Sequence, residues 1–248
     1  MLRVKRFVVF SLLVVSLSTV FSFWFIRQPG AEARVTVTPP PRAEAELQGS
    51  ASGLTTAVNI TGNPDAQWLA QAAVRTGIPA RALRAYVAAA AVANNTHQDC
   101  GIGWNTIAAV GFVESAHGSY GGGSLDADGQ ARGPLVGPSL NGAGFAAIPD
   151  TDGGALDHDA TWDHAVGPMQ FIPSTWREAG KDGNGDGTAD PFNIDDAALS
   201  AATYLCARGR DLTTARGWTD AIYAYNQSDP YIRKVQAQAT AYAAKTAS

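Results

Sequence analysis

The stretch Val-Gly-Phe-Val-Glu-Ser-Ala-His-Gly-Ser-Tyr-Gly (110–121) sets one carboxyl, Glu114, at the end of an apolar helical run and just before a glycine-rich turn. Ile107, Gly111 and Glu114 are three or four residues apart, so a helix from about Trp104 places them on one face. A solvated glutamate belongs opposite the apolar stripe, whereas this one continues it. Loss of hydration disfavours the charged form, which raises the pKa and keeps a proton available near neutral pH. That is the property a general acid needs.

The surrounding pattern is helical. Asn63-Pro64 offers an N-cap followed by proline at the first helical position, and Trp68, Leu69, Ala72 and Ala73 mark a helix ending at Gly77. A second helix is predicted from Pro79 through Leu83, Tyr86, Val87 and Ala90, and later ones at 173–179, 195–207, 219–226 and 229–245. Strand signals are scarce, so the domain, placed at 63–248, is predicted to be mainly α. The stretch from Gly118 to Val166 is rich in Gly, Asp and Pro, has no helical period and holds seven aspartates. It reads as a long irregular loop with room for a short hairpin, where a second catalytic carboxylate such as Asp157 or Asp163 can sit unannounced.

The N-terminal part has another character. Arg3, Lys5 and Arg6 precede an apolar run from Phe7 to Ile26, with Phe21, Phe23, Trp24 and Phe25 at its outer end. Its length of roughly 20 residues suits a bilayer span, so 1–26 is expected to be a membrane anchor or signal segment. Ala31-Glu32-Ala33 offers a cleavage site if the segment is removed. Residues 27–62, with Pro39-Pro40-Pro41 and a Gly-Ser-Ala-Ser-Gly run, read as a linker. The expected place is the cell envelope, outside the cytoplasmic membrane, either anchored or secreted. There Cys100 and Cys206 should pair, stabilising by up to roughly 4–5 kcal/mol on the chain-entropy view of a loop this long.

Net charge is −4, and residues beyond 60 carry twelve basic against nineteen acidic side chains. With no basic cluster, nucleic acid is not expected as a partner. His97, His117, His158 and His164 lack metal-ligand spacing, which argues against zinc.

Three further stretches carry chemistry. Ala-Val-Gly-Pro-Met-Gln-Phe-Ile-Pro-Ser-Thr-Trp (165–176) forces a turn that sets Gln170 among apolar neighbours, with Thr175 and Glu178 spaced as a capping box. An amide there can donate to and accept from a sugar, or satisfy loop backbone. Asp182, Asn184 and Asp186 at alternate positions, Gly187 at the sixth and the Thr188 carbonyl fit the start of an EF-hand. The twelfth position is Asn193 and not Glu, so Asp196 would have to close an extended oxygen shell around a structural Ca2+. No organic cofactor is called for. Tyr225, Asn226 and Tyr231 in Tyr-Asn-Gln-Ser-Asp-Pro-Tyr (225–231) flank a helix break with the aromatic faces and short polar groups that pyranose rings bind.

These four stretches in this order resemble the lytic murein transglycosylase B family in its actinobacterial form. The resemblance implies a lysozyme-like domain, with an EF-hand-like calcium loop, that cleaves the N-acetylmuramic acid–β-1,4–N-acetylglucosamine bond of peptidoglycan glycan strands. It implies Glu114 as the single acid/base and a 1,6-anhydromuramyl product. Gln170, Tyr225 and Tyr231 match the family's substrate-contacting positions, and Ser115 and Asn226 are expected beside them. A monomer is expected. His164 stands where the family pattern has Arg, which leaves its role open. A muramidase using a loop aspartate and a non-catalytic glycan-binding module are the alternatives.

Overall fold

The computed structural model describes residues 35–45, 63–144 and 146–247. The expected membrane segment at 1–26 and the linker residues 27–34 and 46–62 lie outside the described residues. Among the described residues no helix is long and apolar enough to cross a membrane.

Among the described residues seven α-helices dominate: α1 (Ala66–Thr76), α2 (Ala80–Thr96), α3 (Trp104–Ser115), α4 (Pro173–Ala179), α5 (Ile194–Cys206), α6 (Ala215–Tyr225) and α7 (Asp229–Thr246). The expected mainly α class holds. Two strands, β1 (Ser124–Leu125) and β2 (Ala131–Arg132), pair antiparallel inside the long loop.

Local chemistry sets the ends. Asp65, and not Asn63, caps α1 by accepting from the Gln67 and Trp68 N–H groups, both at 2.9 Å. Gly77 ends it in the left-handed region, at φ 79°, a conformation cheap only for glycine. The Thr175/Glu178 capping box does not form. Pro173 takes the first helical turn after Ile172, so Thr175 is already inside α4.

The core is built on small residues. Ala82, Ala85, Ala89 and Ala93 of α2 are buried, as are Ala197, Ala198, Ala201 and Ala202 of α5, and these two helices pack most extensively. Alanine faces let helix axes approach closely while each residue still removes apolar surface from water. The Cys100–Cys206 disulfide spans the ends of this pair, with Cα atoms 5.4 Å apart. It therefore tethers α5 to the connection between α2 and α3. Arg81 of α2 forms a two-pronged ion pair with Asp195 of α5 and also donates to the Ala127 and Asp128 carbonyls at 3.0 Å each, tying the β1–β2 turn to the body.

α3 packs mainly on α7, and its sequence explains its central place. Ten of its twelve residues are buried, and Gly111 lets Tyr86 of α2 come close. A Cβ there would lie 2.2 Å from the Tyr86 hydroxyl.

Residues 35–45, expected as part of a linker, lie against the helical body. The Asn105 amide donates to the Pro41 carbonyl at 2.9 Å and to the Ala239 carbonyl at 3.0 Å, while its oxygen accepts from the Ala43 N–H at 3.1 Å. The Val37 N–H donates to the Thr219 hydroxyl at 3.2 Å, and the Val35 N–H to Asp229 at 3.3 Å. A proline-rich strap thus crosses α3, α6 and α7.

Candidate active site

Glu114 is buried, at 5% exposed. Burial raises its carboxyl to about 8, against a lesser opposing pull from the Tyr231 hydroxyl, which donates to Oε1 at 2.5 Å. Tyr231 stands in the first turn of α7, where the Ser228 hydroxyl caps the helix by accepting the Tyr231 N–H at 3.4 Å. The hydroxyl of Tyr231 is engaged with the acid, and burial pushes the phenol well above its ordinary range, so it stays a donor.

Behind the acid, the end of α3 is held by a buried polar chain. His117 accepts or donates through Nδ1 to the Tyr86 hydroxyl at 3.1 Å and through Nε2 to the Tyr242 hydroxyl at 2.9 Å. Ala116 and His117 both adopt positive φ, 50° and 62°, which turns the chain sharply away from the helix. Burial pushes the His117 imidazole down to about 4. No cation therefore forms behind Glu114 at neutral pH, and its raised pKa stands.

In front of the acid is a cavity of ≈220 Å³ lined by Glu114, Ser115, Tyr120, the loop 134–138 and Gln170. Glu114 is the one carboxylate in that lining. Ser115 joins α3 to the opposite wall: its hydroxyl donates to the Pro168 carbonyl at 2.6 Å and accepts from the Gly118 N–H at 2.7 Å.

Gln170 sits at the tip of a tight turn between Val166 and Phe171, whose N–H groups and carbonyls pair at 2.8 and 3.0 Å. Its φ is 51°, a strained value for a residue with a side chain. The Gln170 amide N–H₂ donates to the Gly167 carbonyl at 2.8 Å and the Leu135 carbonyl at 3.3 Å, which leaves its buried oxygen without a partner. A buried acceptor left open costs stability unless something fills it. Gln170 also lines a second cavity of ≈150 Å³ together with Phe171, Thr175, Tyr204, Tyr225 and Asn226. There the buried Asn226 oxygen is likewise unpartnered, while the Tyr225 hydroxyl donates to the Met169 carbonyl at 2.8 Å. Gln170 is thus the seam between two adjoining hollows, each with one open amide oxygen.

The loop aspartates are not at this site. Asp157 and Asp163 are buried, but their oxygens brace the loop. Asp157 accepts from the Asp159 N–H at 3.1 Å and the His164 N–H at 2.8 Å, and Asp163 from the Thr151 N–H and hydroxyl at 2.8 Å each. Neither lines the cavity that holds Glu114.

The expected calcium loop closes in an informative way. Asp182 accepts from the Gly185 and Gly187 N–H groups at 2.6 and 2.8 Å, Asn184 from the Asp186 N–H and Asp186 from the Thr188 N–H, each at 2.8 Å. Asn193 is the N-cap of α5, accepting from the Asp195 N–H at 2.9 Å, so its side chain serves the helix and not the loop. Asp196, in the first turn of α5, turns back beneath the loop and accepts from Gly183, Asn184 and Asp190. The donors are all oxygens, as a hard cation requires. Burial raises the Asp196 carboxyl above its ordinary range, with the Asp182 charge adding to it. Among the described residues, the carboxylates that converge within 4.8 Å are instead those of Asp150, Asp152 and Asp163, whose oxygens accept loop N–H groups. The end of the 182–196 loop bears on the site, because a Cβ on Gly167 would lie 1.9 Å from the Pro191 carbonyl. That loop therefore buttresses the turn carrying Gln170.

Residues 145–219 match the family described as Transglycosylase SLT domain. The match includes Gln170 and the 182–196 loop and does not extend to Glu114. Comparison with curated proteins gives no match. One similar solved structure is the Escherichia coli lytic transglycosylase Slt35 in complex with bulgecin A, 13% identical, with a TM-score of 0.44, covering 74% of this chain and 76% of that one. Over residues 145–219, therefore, the chain carries a segment similar to transglycosylase SLT domains.

Proposed function

We propose that this protein cleaves the N-acetylmuramic acid–β-1,4–N-acetylglucosamine bond of peptidoglycan by intramolecular transglycosylation, with Glu114 as the only catalytic carboxyl. The observation that carries this reading is a buried acid raised to about 8 and alone in the carboxylate lining of its cavity. Protonated Glu114 gives its proton to the glycosidic oxygen as the bond to the muramyl anomeric carbon breaks. The resulting carboxylate then takes the proton of the muramyl C6 hydroxyl, whose oxygen bonds to that carbon and closes the 1,6-anhydro ring. Glu114 ends as it began, and no water is consumed. A hydrolase needs a second carboxylate, as nucleophile about 5 Å away or as base farther off. Here the substrate's own hydroxyl replaces it at high effective concentration.

The open oxygens of Gln170 and Asn226 are suited to accept from the N-acetyl N–H or a hydroxyl of a sugar on either side of the seam. Tyr225 contributes a ring to one hollow, Ser115 holds the walls together, and Tyr231 orients the acid. A structural Ca2+ held by Asp182, Asn184, Asp186, the Thr188 carbonyl and Asp196 would stiffen the loop behind Gly167. It supplies charge neutralisation and takes no part in the reaction. The apolar run at 7–26 supports tethering at the outer face of the cytoplasmic membrane.

The test is solubilisation of isolated peptidoglycan by the full-length protein and by Glu114→Gln. The variant should lose activity by about 10²–10⁴-fold while still co-sedimenting with the wall. Undiminished solubilisation would remove Glu114 from the reaction.

A further inference from the structure

His164 bridges two loops through acceptors only. Its Nδ1 lies 2.7 Å from the Gly137 carbonyl and its Nε2 lies 3.1 Å from Asp159 Oδ2. Neither partner carries a hydrogen to give. The Asp159 carboxyl is held below its ordinary range first by His164 itself and then by backbone N–H groups, so it is ionised. A neutral imidazole has one N–H, which the ionised Asp159 carboxylate, the stronger acceptor, keeps at Nε2, so the Nδ1 lone pair is left against the Gly137 carbonyl. The imidazolium satisfies both.

We propose that His164 is a positioning residue that latches the wall of the glycan cavity, holding Gly137 in place when protonated and releasing it when neutral. Gly137 lies in the cavity lining between Val136 and Pro138. Its N–H donates to the Ala165 carbonyl at 2.8 Å, so both backbone polar groups of Gly137 are tied to the segment leading into the Gln170 turn. The approach to Gln170 is close: a Cβ on Gly137 would lie 3.0 Å from the open Gln170 oxygen. Displacement of this segment therefore changes the space beside that acceptor.

The charges facing the imidazole are Asp159 and Asp157, the latter also accepting the His164 backbone N–H at 2.8 Å. The Gly137 side brings only a carbonyl. Burial alone would lower the imidazole, but the Gly137 carbonyl, Asp159 and the two carboxylate charges together raise it above its ordinary value. The latch is thus closed at acidic pH and opens as pH rises through that raised value.

The proposal rests on the glycan reading of the cavity, and its test separates the two. In full-length Glu114→Gln, where the catalytic acid no longer titrates, the affinity for a GlcNAc–MurNAc tetrasaccharide is measured across about pH 5–9. Affinity should fall about tenfold with rising pH, the scale of one charge-assisted hydrogen bond. Adding His164→Arg, which keeps its charge, should hold the affinity high and level. Adding His164→Gln, which cannot charge, should hold it low and level. A level profile with His164 present, or an unchanged profile with His164→Gln, overturns the latch. A second readout needs no glycan: the hydrogen-exchange protection factor of the Gly137 N–H should drop over the same pH range and lose that drop in His164→Arg. If the tetrasaccharide binds at no pH while that drop persists, the glycan reading fails and the pH-sensitive contact stands. Constant protection overturns the latch itself.

Discussion

The Tyr231 hydroxyl donates to Glu114 Oε1 at 2.5 Å, joining the first turn of α7 to the last turn of α3 across 117 residues of sequence. The bond favours the carboxylate, so it partly opposes the burial that raises Glu114. Tyr231→Phe should therefore move the alkaline limb of the activity profile above about 8, while lowering the maximal rate about tenfold through loss of alignment. An unmoved limb in initial rates across pH would show that the bond does not act on the acid.

Glu114 should also be legible in stability. Its carboxyl ionises near 4.5 when unfolded and near 8 in the native state. Between those values the native protein binds more protons, so stability falls as pH rises. Glu114→Gln removes that loss. The variant should be more stable than the wild type at pH 8, by on the order of a few kcal/mol, and indistinguishable near pH 4. Thermal melts at the two pH values provide the check.

The strap gives a prediction about where the folded unit begins. Asn105→Ala breaks bonds to Pro41, Ala43 and Ala239 and should cost about 2–3 kcal/mol, since it leaves buried backbone groups unpaired. Denaturant titration should show this, and a chain starting at residue 61 should be destabilised by at least as much.

For the 182–196 loop, added Ca2+ should raise the melting temperature of the full-length protein. Asp186→Ala should abolish that rise without changing the melt in chelator by more than about 1 kcal/mol, because Asp186 is exposed and makes only loop contacts. Equal melts with and without Ca2+ would leave the loop a plain Asp/Gly turn.

The helices were legible because apolar periodicity and end signals agree locally: Trp104 opens α3 and Gly77 closes α1 where expected. Glu114 was legible for the same reason, as a carboxyl on a buried face. The partnership with Tyr231 was not, because nothing local to 225–231 shows that its second tyrosine meets a helix 117 residues earlier. The strap was hidden by composition. Proline-rich sequence reads as a linker, yet a segment without secondary structure can dock through backbone groups, as Pro41 and Ala43 do on Asn105. The twelfth position of the calcium pattern was legible as a misfit but not as its cause, the capping of α5 by Asn193. The loop aspartates gave seven candidates for a second carboxylate, and only tertiary structure shows Asp157 and Asp163 facing their own loop.

The most direct test of a lone acid working with the substrate's own hydroxyl is digestion of peptidoglycan in water enriched in oxygen-18, with mass spectrometry of the new glycan ends. The account predicts ends lighter by one water than reducing muramic acid and free of the label. Labelled reducing ends would contradict it, because they require water as the nucleophile and a second group to activate it.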